Sequence, residues 1–299
     1  MNQRLTLPNA ALLTVPPLLW AGNAVVGRVV APLVPPITLN FLRWAIAFVL
    51  LLPFAWQLLR ASSSFWQHLR RYAVLGLLGV GCYNALQYLA LKTSTPTNVT
   101  LVASSMPVFM MALGAAFFSQ RVTRRQTLGA LLSIAGVLLV LSRGELQHLA
   151  QVHFVVGDLY MLVATAAWAL YSWLLTRPGE PAEVSANWAT LLMAQLMPGV
   201  VWSGLFAVGE TALGTQAIQW GWPLAAALAY VAIAPAIIAY RCWGAGVQRM
   251  GPTIAGFFSN LTPLFAALFS AAFLGEPPHL YHAMAFLLIA SGIVVSSRR

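Results

Sequence analysis

Few side chains in this 299-residue chain could do covalent chemistry, and their spacing argues against it. The six acids, Glu145, Asp158, Glu180, Glu183, Glu210 and Glu276, are scattered, and so are the five histidines. No HExxH, GxSxG or Cys-His cluster gathers a nucleophile, base or metal ligand at one place. No Gly-rich phosphate loop occurs, so no nucleotide-hydrolysing motif is present. Cys82 and Cys242 lie in apolar runs and read as small buried hydrophobes. No metal or cofactor is expected, and the remaining chemistry is that of recognition.

Two cations and two prolines stand out because their surroundings are apolar. Arg241 falls mid-helix, and an arginine near a bilayer centre costs about 2.5–3.5 kcal/mol. It must face a wet cavity or a partner, or else sit on a shifted helix and snorkel to the interface. Arg43, about seven residues into its own apolar run, raises the same question, with a structural partner as the simplest answer. Pro107 and Pro263 each lie about ten residues into a span and remove a backbone hydrogen bond there. A matched pair of breaks points to a binding site or a gating hinge.

The elements that position these residues follow from composition. The chain is 60% hydrophobic and 7% charged, whereas a soluble domain carries about 25% charged residues. Crossing a bilayer core takes roughly 20 mostly apolar residues. Ten spans fit, near 10–30, 37–59, 72–92, 97–119, 125–142, 157–176, 185–208, 224–248, 252–274 and 279–297. The stretch from Thr211 to Arg249 is longer than one span needs and leaves room for an interfacial piece. The apolar run after Arg4 is too long for a signal peptide and lacks a small-residue cleavage site, so it reads as a retained first helix. This is an all-α polytopic membrane protein.

The chain is also written twice. Ser104-Ser105-Met106-Pro107-Val108-Phe109 returns 156 residues later as Asn260-Leu261-Thr262-Pro263-Leu264-Phe265. Pro96 falls on Pro252 and Gly136 on Gly292 at the same offset, Trp20-Ala21 falls on Trp168-Ala169, and one gap brings Tyr83 onto Tyr240. Residues 1–150 and 151–299 are thus two five-helix repeats, and an odd number of spans per repeat makes them inverted. If the N-terminus is cytoplasmic, the inside ends collect Arg4, Arg60, Arg70, Arg71, Arg121, Arg124, Arg125, Arg177, Arg241, Arg249, Arg298 and Arg299. The outside ends keep Arg28, Arg43, Lys92 and Arg143. This positive-inside bias puts both termini in the cytoplasm and accounts for the net charge of +10 without a nucleic-acid partner.

Trp20-Ala21-Gly22-Asn23, the Pro35-Pro36 turn, Phe41-Leu42-Arg43, the Pro107 and Pro263 helices and Ala169-Leu170-Tyr171-Ser172 together resemble a known family. By these motifs nearly the whole chain is similar to the EamA branch of the drug/metabolite transporter (DMT) superfamily. Within it the chain looks most like the bacterial aromatic amino-acid exporters of the YddG type. The resemblance implies a ten-helix, two-repeat carrier with a central cavity walled by helices 1, 3, 4, 6, 8 and 9. Carried onto this sequence, it places Trp20, Asn23, Tyr83, Gln87, Ser104, Trp168, Tyr171, Tyr240, Ser259 and Asn260 around one cavity. Arg241 is the candidate cation beside them, and Pro107 and Pro263 are the candidate hinges. Aromatics and neutral polar groups can stack a planar group and hold polar ends without fixed charge. Plainer uses stand beside these. Trp56, Trp66, Trp202 and Trp220 fit interfacial belts. Asn23, Ser104 and Asn260 fit hydrogen bonds between helices, and Gly76, Gly79, Gly129, Gly136, Gly244 and Gly246 fit close helix contacts.

The expected function is a secondary transporter in the bacterial inner membrane that exports small amphipathic metabolites, amino acids including aromatic ones first among them, by alternating access. All six acids lie near span ends, so downhill facilitation or exchange is expected, although the resemblance alone also allows proton coupling. A carrier of another metabolite, a cationic drug, phosphorylated metabolites or nucleotide sugars is the alternative, although phosphate calls for more basic groups than Arg241 and Arg43. A multispan membrane enzyme is more remote. The expected partners are a small-molecule substrate and the lipid bilayer, with the protein a monomer or weak dimer.

Overall fold

The computed structural model describes residues 5–94, 96–145, 147, 153–214, 217–274 and 279–298, and Arg4, Glu276 and Arg299 lie outside this set. The described residues form helices and connections with no strand among them. In chain order, α1 is Leu7–Val30 and α2 is Pro36–Ala55. Helix α3 runs through Leu69–Gly76, a π-helical stretch Leu77–Cys82, and Tyr83–Thr93. Helix α4 is in two pieces, Pro96–Ala103 and Met106–Phe117. Then come α5, Arg124–Leu141, α6, Val156–Leu174, and α7, Trp188–Leu213. Helix α8 repeats the pattern of α3 with Trp222–Val231, a π stretch Ala232–Ile238, and Ala239–Met250. Helix α9 repeats that of α4 with Pro252–Ser259 and Thr262–Leu274, and α10 is Leu280–Ser297.

Among the described residues nine of these helices are long and apolar enough to cross a membrane. The tenth, α6, has 19 residues. Asp158 and the amphipathic rings of Trp168, Tyr171 and Trp173 lower its hydropathy, and it packs against α3 and both pieces of α4. Where an interfacial piece was foreseen after Thr211, residues 217–221 are non-helical. The Gln219 N–H donates to the Leu33 carbonyl (2.8 Å), and Ile218 packs with the cluster around Val30 and Val34, which ties the connection to the α1–α2 turn.

The two halves match in fine detail. The spans built on α3 and α8 begin at Trp66 and Trp222 and end at Thr93 and Met250, 28 and 29 residues long. Each carries a π stretch shortly before its tyrosine, Tyr83 or Tyr240, with 6 residues in α3 and 7 in α8. Helices α5 and α10 pair closely. A Cβ on Gly292 would stand 2.6 Å from the Gly129 oxygen, so only glycine permits this approach. Facing outward, Leu131, Val201 and Leu287 are 63%, 62% and 64% exposed, as suits side chains that lipid covers.

The acids sit at helix ends because free backbone donors are there. Glu210 caps α2 by accepting from the Ile37 and Thr38 N–H groups (3.1 and 2.7 Å). Asp158, 2% exposed, accepts from the Val155 N–H (2.8 Å), the Ser94 hydroxyl and the Asn98 amide (3.3 Å). In the α6–α7 connection, burial pushes the Glu180 carboxyl up from its ordinary range, and Arg71, at 3.4 Å, offsets part of that rise. Glu183 loses some solvation too, but the Ser64 N–H and hydroxyl, both at 2.9 Å, with Ser63 and Arg60, hold it below the ordinary range.

Candidate functional site

Five expected site residues meet in one aromatic cluster where α1, α3, α6 and α8 converge. Trp168 is the hub. Its ring centroid lies 5.3 Å from Trp20, 5.1 Å from Tyr83, 5.0 Å from Tyr171 and 5.3 Å from Tyr240. These are tilted or edge-to-face contacts, the orientations ring quadrupoles favour. Sequence reasoning missed two members, Trp243, 5.5 Å from Trp168, and Trp44, 4.7 Å from Tyr240. A signal existed for Trp243, since it follows Tyr240 by three residues and so shares its helix face. Trp20 lies 13 residues after Leu7, and Tyr240 lies 10 residues before Met250. At ~1.5 Å per residue the cluster is therefore about 15–20 Å from the end of the bundle that carries the termini.

Polar tips fix the rings. The Tyr171 hydroxyl donates to Gln195 Oε1 on α7 (2.8 Å), and Trp243 Nε1 donates to Ser172 Oγ (3.1 Å). The two π stretches supply a reciprocal pair of acceptors. Gly79 and Pro235, 156 residues apart, occupy matching places in them. The Tyr240 hydroxyl of the second half donates to the Gly79 carbonyl of the first, and Trp20 Nε1 of the first half donates to the Pro235 carbonyl of the second (3.3 Å). A π turn displaces the regular i→i−4 ladder, so such carbonyls are open to side-chain donors.

The remaining expected residues divide. Asn23, half-buried one turn beyond Trp20, accepts from Arg43 Nη1 at 3.4 Å, and Gln87 is half-buried one turn beyond Tyr83. Ser104, Ser259 and Asn260 do not join the cluster. The hydroxyls of Ser104 and Ser259 donate to Leu101 and Gly256 within their own helix pieces, each at 2.6 Å, and the Asn260 amide donates to Ser133 Oγ on α5 (2.9 Å). The two serine bonds close the last turn of their own helix pieces, and the Asn260 bond joins two helices. Arg241 does not join the cluster either and takes the interfacial of its two expected places. It is exposed, and its guanidinium lies 4.5 Å from the Trp188 ring at the start of α7. Successive helix residues point about 100° apart, so turning Tyr240 inward turns Arg241 outward, where its stem snorkels and its charge rests on an aromatic face.

Pro107 and Pro263 do not kink continuous helices. Each is the second residue of a new helix piece, after breaks at Ser104-Ser105 and Asn260-Leu261. The first turn tolerates proline because its N–H would be unpaired there anyway. A cavity of about 500 Å³ opens at the termini end, lined by Gln120, Arg121, Trp173, Arg177, Glu180 and Gln248. A second, of about 690 Å³ and more apolar, lies among α2, α3 and α7 near Pro36, Leu86, Lys92 and Phe206. The clustered rings line neither cavity and pack on one another in this state.

The profile of the EamA-like transporter family matches residues 9–142 and again residues 155–298. The chain belongs to this family. It is 28% identical over 298 residues to a probable amino-acid metabolite efflux pump of Salmonella typhimurium, covering 96% of this chain and 93% of that one. It is 25% identical over 227 residues to the aromatic amino acid exporter YddG of Ancylobacter novellus, covering 75% of each. A crystal structure matches it with a TM-score of 0.71 over 96% of both chains at 21% identity, a likeness of fold. This EamA-like chain is therefore an integral membrane transporter rather than an enzyme, with an all-α fold of two repeats.

Proposed function

We propose that this EamA-like transporter exports amino acids, aromatic ones among them, by alternating access at the aromatic cluster. The observation that carries the reading is the cluster itself, in which rings from both halves meet mid-bundle and each half holds an aromatic of the other on a π-stretch carbonyl. Separating the halves exposes ring faces that stack a planar side chain, and a seam between repeats can open to either side in turn. The Salmonella and Ancylobacter relatives, named as a probable amino-acid metabolite efflux pump and an aromatic amino acid exporter, point the same way. In this reading all ten helices cross the bacterial inner membrane, the halves 1–150 and 151–299 are inverted, and both termini are cytoplasmic. The protein acts as a monomer or weak dimer. Flux is downhill or by exchange, because Asp158, the one fully buried carboxylate among the described residues, has its donors at a helix end.

Counterflow in proteoliposomes tests the proposal. Internal phenylalanine, tyrosine or tryptophan is expected to accelerate uptake of labelled phenylalanine. Absence of counterflow with every amino acid refutes the substrate assignment, and accumulation driven by a pH gradient alone refutes downhill transport.

A further inference from the structure

Among the described residues Arg43 is the one buried cation that the packing leaves unmatched. It lies on α2, 2% exposed, with Nε lacking any hydrogen-bond partner. Nη1 has only the neutral Asn23 oxygen, at the long distance of 3.4 Å, and the guanidinium carbon stands 4.8 Å from the Trp44 ring. The described carboxylates are engaged elsewhere: Glu145 with Gln147, Asp158 with Ser94 and Asn98, Glu180 with Arg71, Glu183 with Ser64, and Glu210 with the start of α2. A guanidinium taken out of water without a counter-charge is strongly disfavoured, and its planar fork of donors suits a carboxylate. Arg43 also borders the aromatic cluster. Asn23 is one turn from Trp20, and Trp44, the next residue after Arg43, packs on Tyr240.

We infer that Arg43 is the subsite for a substrate carboxylate, with Asn23 holding its place until substrate arrives. This rests on the proposed function and deepens it. The rings take the aromatic side chain, and the incoming carboxylate replaces the Asn23 oxygen on the Arg43 guanidinium by a charge-assisted, two-pronged pair. Asn23, half-buried, is the accessible edge of the subsite. The substrates are therefore aromatic carboxylates, and neutralising the carboxylate removes the main polar anchor.

The test is ligand titration of purified protein, read by tryptophan fluorescence, with L-phenylalanine, L-phenylalaninamide and phenylacetate. Arg43→Gln is expected to weaken phenylalanine and phenylacetate at least about tenfold and to leave phenylalaninamide unchanged. Arg43→Lys recovers only part, because a lone ammonium lacks the fork. Asn23→Asp, which keeps Arg43 and supplies an internal carboxylate, is expected to raise thermal stability, abolish the preference for carboxylates and spare the amide. This variant decides the matter where Arg43 variants fail to fold. Equal weakening of acid and amide in Arg43→Gln, unchanged phenylalanine affinity in a folded Arg43 variant, or no binding of either carboxylate by the native protein overturns the subsite. Binding of phenylacetate that depends on Arg43, with no amino acid bound or transported, keeps the subsite and overturns the amino-acid assignment.

Discussion

Replacing Gly79 by alanine tests the architecture at its tightest point. The new Cβ would stand 2.7, 2.9 and 3.0 Å from Cε2, Cδ2 and Cζ of Tyr171. Ordinary carbon contacts begin near 3.5 Å, so ring or backbone must move by about 0.8 Å. The ring cannot swing freely, since its hydroxyl is bound to Gln195 and its faces pack on Trp168 and Tyr240. Overpacking of this kind costs about 1–3 kcal/mol, and losing the Tyr171–Gln195 bond adds about 1 kcal/mol. Helix propensity returns at most about 1 kcal/mol. The net loss of ~1–3 kcal/mol is expected to lower the melting temperature in detergent by roughly 2–10 °C, and to slow counterflow because the Gly79 carbonyl that holds Tyr240 shifts. Gly27→Ala and Gly244→Ala, where a Cβ meets nothing within 4 Å, are the controls and should match or exceed native stability. Gly79→Ala combined with Tyr171→Ala should cost less than the sum of the two. If Gly79→Ala melts and transports like the controls, the close packing of the π stretch on Tyr171 is wrong.

Trp20→Ala or Trp168→Ala should impair transport of phenylalanine, tyrosine and tryptophan more than that of a small amino acid, because stacking area matters only to large side chains. Equal loss across substrates would mark the rings as packing alone. Pro107→Ala and Pro263→Ala restore a backbone donor beside each helix break and should bias the carrier toward opposite-facing states, read as opposite shifts in cysteine accessibility. Unchanged accessibility and native rates in both would make the breaks passive. A cysteine at exposed Gln147 should react with an impermeant thiol reagent outside intact cells, and one at exposed Ser185 only after permeabilisation. The reverse pattern would invert the topology. The Glu183 carboxyl sits below its ordinary value near 4.5, so its bond to Ser64 contributes stability above that pH and loses it as pH falls through the lowered value. Glu183→Gln should flatten the loss of melting temperature between about pH 5 and pH 3. An unaltered acid limb would show that the contact contributes nothing.

The sequence alone was enough for the features that solvent dictates. Hydrocarbon excludes charge whatever the tertiary contacts, so charge-free runs marked the helices, and the acids Asp158, Glu183 and Glu210 fell where helix ends offer free donors. The duplication was legible because the residues around Pro107 recur around Pro263, and each proline stands where a new helix piece begins. Trp20 and Trp168 were identified by their repeat positions, and Tyr83, Tyr171 and Tyr240 joined them through the family resemblance. What remained depends on which way a helix is rotated and what it meets there, and only the tertiary structure decides that. Tyr240 and Arg241 are adjacent in sequence and about 100° apart in space, so one packs against Trp168 and the other rests on Trp188. Asn260 turned to Ser133 because α5 lies alongside it. The π stretches had no sequence mark, since they arise where packing of α3 and α8 on their neighbours outweighs the regular helical ladder. Arg43 was visible in the sequence as a cation in an apolar run, but that its neighbours leave it without a counter-charge is a property of the assembled bundle.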